Sequence, residues 1–146
     1  MNDTIRISTP SLPENLKWVY SISQTLLKEI PLDERTSHFL LVAISEGFTN
    51  AVVHGNDMNP DKWVQMTFRI GQDFIRIEVE DEGVLPIHRD IAELTELAGP
   101  EEDSGRGLAL IKDLVDEVSV ETNSEGGNRL VFTRYFENQC RTEAFN

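Results

Sequence analysis

Apolar positions change period several times along the chain, and each change marks an element. Ile5 and Ile7 alternate with polar neighbours, which predicts a short strand over 4–8 that Pro10 and Pro13 then break. Leu16, Val19, Tyr20, Ile22, Ser23, Leu26, Leu27 and Ile30 follow helical spacing, so a helix is expected over 14–30, stopped by Pro31. Asp33 suits the cap of a second helix whose core side carries Leu40, Leu41, Ile44, Phe48, Ala51 and Val52, and Gly55 suits a left-handed end to it. After a polar turn over 56–61, strand-like runs over 64–70 and 74–80 are joined through Gly71-Gln72-Asp73 as a hairpin. Residues 84–104, with Pro86, Pro100 and Glu101-Glu102-Asp103, read as an irregular loop or lid with a short helix near 91–97. A helix over 107–117, a second hairpin pairing 118–122 with 130–136 through a turn at 124–128, and a polar tail over 137–146 complete the pattern.

Early helices and strands arriving in hairpin pairs predict an α/β (α+β) two-layer sandwich: one mixed, mostly antiparallel sheet with helices on one face. At 146 residues, one domain with its own core is expected. Thirteen Lys plus Arg against 26 Asp plus Glu give a net charge of −13, which argues against wrapping nucleic acid or an anionic membrane. The lone Cys140, in the polar tail, has no partner for an internal disulfide or a shared metal. The first residues lack the basic flank and apolar run of a signal peptide, and no apolar run reaches membrane-spanning length, so a soluble cytoplasmic protein is expected.

Three polar constellations interrupt the apolar pattern. Glu46, Asn50 and His54 are spaced four apart and project from one side of the second helix. A carboxylate there can accept a proton, and an amide oxygen is a hard ligand suited to Mg²⁺; the same spacing also fits a solvated helix face. Gly47, Thr49 and Asn50 are poor helix formers, a local penalty of about 1 kcal/mol for the glycine alone. Asp81-Glu82-Gly83 ends the strand in which Ile75, Ile77 and Val79 share a face, so Asp81 continues an inward row and needs donors. An adenine amino group is one such donor; a plain turn is the other reading. Ser104-Gly105-Arg106-Gly107-Leu108 leads into a helix whose first N–H groups can bind phosphate, or it is a hinge before a core helix. His38 and His88 have no companions at metal-ligand spacing, and Trp18 and Trp63 are expected in the core or at an interface.

Together and in this order the three constellations resemble the histidine-kinase-like ATPase superfamily, with its Bergerat ATP-binding fold. Residues 46–55 are similar to its N-box, Asp81-Glu82-Gly83 to its first glycine box and Gly105-Arg106-Gly107-Leu108 to its second. Within it, the phrase Glu46-Gly47-Phe48-Thr49-Asn50-Ala51-Val52-Val53-His54-Gly55 most resembles the bacterial anti-sigma factor serine kinases, which are small and often homodimeric. The length leaves no room for a phosphoacceptor helix pair or a transducer domain. The resemblance implies Glu46 as general base for a serine hydroxyl, Asn50 as Mg²⁺ ligand, and His54 near the nucleotide. It also implies Asp81 at adenine N6 with Gly83 beneath the base, Ser104, Gly105, Arg106, Gly107 and Leu108 around the phosphates of ATP, and 84–104 as the lid. Implied partners are a STAS-domain anti-anti-sigma protein as substrate, a sigma factor, and a second copy of the chain, met along the N-terminal strand. Two positions depart from the pattern: Leu85-Pro86 follows Gly83 where a further glycine is usual, and Gly127-Asn128 stands where Gly-Thr is usual. Asn128 can still hydrogen-bond near adenine. These departures motivate a second reading, a module that senses ATP without transferring phosphate.

Overall fold

The structure, a computed structural model, describes residues 2–83 and 103–137, with the backbone alone over 103–106. The lid and short helix expected within 84–104, the Leu85-Pro86 departure, His88, Cys140 and the tail beyond 137 lie outside the described residues.

Among the described residues, five strands form one sheet in the order β1-β2-β3-β5-β4, where β1 is Asp3–Pro10, β2 Trp63–Ile70, β3 Phe74–Glu80, β4 Glu117–Thr122 and β5 Asn128–Tyr135. Every pairing among them is antiparallel, so the sheet is not mixed among the described residues. Register sets the core: Phe68 faces Ile77, Ile77 faces Phe132, and Val79 lies between Met66 and Leu130, all buried on one side. The other side is laced by surface ion pairs, Arg69 to Glu78 at 2.9 Å and Arg129 to Glu80 at 3.3 Å, which keep it polar and add little stability each.

The described residues also form helices α1 (Leu16–Lys28), α2 (Glu34–Asn50) and α3 (Asp103–Leu114), with α2 packed against both α1 and α3 and over β3. The Asp33 carboxylate accepts the Thr36 N–H at 2.6 Å, the cap expected from the sequence. Leu40, Leu41, Ile44, Phe48, Ala51 and Val52 are all buried, as their spacing requires. None of the helices described is long and apolar enough to cross a membrane.

Several boundaries differ from the expected ones. The first strand extends to Pro10, whose missing N–H is harmless on an edge strand. The first helix is preceded by a separate 3₁₀ turn at Pro13–Asn15. The last helix starts at Asp103 and stops at Leu114 instead of running to 117. There the Asp116 N–H donates to the Thr133 carbonyl at 3.0 Å and its Oδ2 accepts from Tyr135 N at 2.7 Å, tying the chain to β5 before another helical turn can form. Trp18 and Trp63 are 58% and 51% exposed, so neither is a core residue.

Candidate functional site

The second helix changes pitch directly after Asn50. Ala51–Gly55 is a π-helical turn in which the Asn56 N–H reaches back five residues to the Ala51 carbonyl at 2.8 Å. Gly55 does not adopt the left-handed conformation expected of a helix-ending glycine. Its lack of a side chain has another cause: a Cβ there would overlap the Asp81 carboxylate. The widened turn thus brings the backbone of α2's end directly against the end of β3.

Asp81 is 8% exposed and continues the inward row of Ile75, Ile77 and Val79. Its Oδ1 accepts from Gly83 N at 2.9 Å, from Asn128 Nδ2 at 3.1 Å and from Asn128 N at 3.4 Å. Its Oδ2 accepts no hydrogen bond among the described residues and is the oxygen open to an outside donor. The Asn128 amide therefore holds the carboxylate. Burial pushes the Asp81 carboxyl above the ordinary value of 3.8, outweighing the Gly83 and Asn128 donors and the Lys62 charge, which favour the ionised form. Below Asp81, the β4–β5 turn is organised by Asn123, whose Oδ1 accepts from Gly127 N at 2.8 Å and Glu125 N at 3.1 Å, while Gly126 takes a φ of +87°.

Glu46 and Asn50 meet at α3. A Cβ added at Gly107 would stand 3.0 Å from Asn50 Nδ2, 3.2 Å from Asn50 Oδ1 and 3.1 Å from Glu46 Oε2. With no side chain at Gly107, α3 approaches the polar stripe closely, and an added carbon would need its neighbours to shift by a few tenths of an ångström. Asn50 Nδ2 is buried and has no hydrogen-bond partner among the described residues, which leaves a polar atom there able to meet a ligand. Because the two ends of an amide are interchangeable by a flip, the same position can present an oxygen to a cation. The described residues contain no cluster of three or more acidic, His or Cys side chains able to hold a metal alone.

Not every expected site residue joins this group. His54 lies on the π turn with an exposed side chain and makes no hydrogen bond to Glu46, Asn50 or Asp81. Leu108 packs toward the core. Ser104, Gly105 and Arg106 are already helical, so the free N–H groups of α3 belong to its first turn, and Gly107 contributes space more than a donor. A cavity of about 590 Å³ opens on the helix-free side of the sheet beside Trp63, Gln65, Glu80 and the 123–127 turn. Asp81, Glu82 and Gly83 also line it, whereas Glu46 and Asn50 do not. Asn56 and Asn123 escaped sequence reasoning, since a polar residue after a helix or in a turn is ordinarily solvated.

If an adenine-type amino group donates to Oδ2, binding stabilises the ionised carboxylate. Asp81 should then titrate above 3.8 in the free protein and shift downward when ATP is added, followed by carbon-13 NMR of the side-chain carboxyl. An unmoved resonance would exclude the contact.

The family model for the histidine kinase-like ATPase domain matches residues 9–134. Among individual proteins, the chain is 31% identical over 97 residues to an anti-sigma F factor of Bacillus cytotoxicus, covering 65% of this chain and 66% of the relative. It is 33% identical over 104 residues to an anti-sigma F factor of Heyndrickxia coagulans, covering 66% of each. Another of the same name from Bacillus thuringiensis is 30% identical over 97 residues, covering 65% of this chain and 66% of the relative.

Proposed function

The chain belongs to the histidine kinase-like ATPase domain family, and from that membership we propose that it is an ATP- and Mg²⁺-dependent protein serine kinase and cytoplasmic anti-sigma factor working in a partner-switching circuit. The observation that carries the reading is the convergence of the Glu46 carboxylate and the orphaned Asn50 amide on Gly107, beside the first turn of α3. In this reading the adenine amino group donates to Asp81 Oδ2, and the free N–H groups of α3 face the phosphates. Asn50 is the residue that would hold Mg²⁺, which when bound neutralises phosphate charge.

Glu46 Oε2 accepts the proton of a serine hydroxyl as that oxygen bonds to the γ-phosphorus and the bond to the β–γ bridging oxygen breaks, releasing ADP. The substrate proposed is a STAS-domain anti-anti-sigma protein. A phosphoserine adds up to two negative charges at the interface and repels this acidic chain, which is then free to hold its sigma factor. A second copy of the chain meets it along β1, which is an edge strand of the sheet among the described residues.

Labelled ATP with Mg²⁺ and candidate STAS proteins tests the proposal: label is expected on a serine of one partner. The engagement of Asn128 with Asp81, where the family pattern has threonine, supports a second reading as an ATP sensor. Calorimetric ATP binding without transfer to any partner would select it, and absence of ATP binding would overturn both.

A further inference from the structure

Asn56, directly after the π turn, is fully buried, and each polar atom of its side chain is engaged. Its Oδ1 accepts the Glu82 N–H at 2.7 Å, and its Nδ2 donates to Ser11 Oγ at 2.6 Å and to the Trp63 carbonyl at 3.0 Å. Ser11 is equally buried and donates from both N and Oγ to the Lys62 carbonyl at 3.0 Å. One amide thus joins the exit of β1, the entry of β2 and the exit of β3. An apolar residue of the same size would fill the space and leave the Glu82 N–H and the Trp63 carbonyl unpaired.

The Glu82 peptide lies between Asp81, whose Oδ2 is open, and Gly83, whose N–H holds Oδ1. Fixing that peptide fixes the direction in which the carboxylate faces. From this geometry we infer that Asn56 is a positioning residue for base recognition, acting through the Glu82 peptide on Asp81. Its influence stops short of the phosphate end, because Glu46, Asn50 and Gly107 belong to α2 and α3 and share no hydrogen bond with it. The inference rests on the nucleotide-binding reading proposed above.

The test compares ATP with inosine triphosphate, which carries an oxygen in place of the adenine amino group. In the full chain, Asn56→Ala is expected to reduce the preference for ATP by about tenfold while changing affinity for inosine triphosphate less than about twofold. Equal losses for both nucleotides, or an unchanged preference, would overturn the inference by making Asn56 a purely structural residue. Should Asn56→Ala fail to fold by circular dichroism, Ser11→Ala, which removes one acceptor from Nδ2, decides the matter: a reduced preference is expected and an unchanged one overturns the inference. A wild-type protein that binds both nucleotides equally would remove the role of Asp81 itself, and one that binds neither would remove the functional proposal. Both failures appear before any variant is compared.

Discussion

Glu46→Ala should reduce phosphoryl transfer about 100- to 10,000-fold while ATP affinity stays within about threefold. The split follows from position. Glu46 Oε2 lies on the α3 side of the stripe, near Gly107 and the Asn50 amide, whereas the proposed base contact is made at Asp81, directly after β3. A proton acceptor works during transfer and contributes little to holding the ground-state nucleotide. Glu46→Gln sharpens the comparison, because it keeps the shape and removes the basic oxygen. Steady-state transfer rates alongside calorimetric affinities give both readouts. Undiminished transfer in either variant would exclude Glu46 as the base, and a parallel collapse of affinity would make it a binding residue instead.

The second large effect is expected at Gly55→Ala. A methyl group there overlaps the Asp81 carboxylate, and the carboxylate cannot rotate freely because Gly83 and Asn128 hold its Oδ1. Either the π turn retreats or Asp81 leaves its cradle, at a cost of about 1–3 kcal/mol for overpacking. The unfolding midpoint in urea should fall accordingly, and ATP affinity should fall by at least about tenfold because the open oxygen is displaced. Unchanged stability and affinity would mean that the two elements stand further apart in solution. Gly107→Ala makes the milder contrast, since its added carbon meets polar atoms at 3.0–3.2 Å without severe overlap.

Much of the layout was legible because it depends on local period. The row Ile75, Ile77, Val79, Asp81 follows from alternation alone, and the inward placement of Asp81 came with it. The apolar side of α2 follows from helical spacing in the same way. What was not legible depends on tertiary partners. The reason for glycine at 55 is a carboxylate 26 positions later, so local helix-end rules suggested a conformation that the residue does not adopt. The last helix stops early because Asp116 is captured by β5. Trp18 and Trp63 were expected inside or at an interface by residue type, yet composition says nothing of which side of α1 or β2 faces solvent. Asn56 is the clearest case: a buried amide is recognisable only when its three partners, distant in sequence, are seen together.

The π turn also changes what a helical wheel means for this chain. Up to Asn50 the residues share one phase, and beyond it the wider turn starts another. The four-residue interval from Glu46 to Asn50 and that from Asn50 to His54 look identical in writing but subtend different angles about the axis. One continuous helix thereby points in two directions, presenting a carboxylate and an amide to α3 and then its own backbone to β3, with no break in the chain between them.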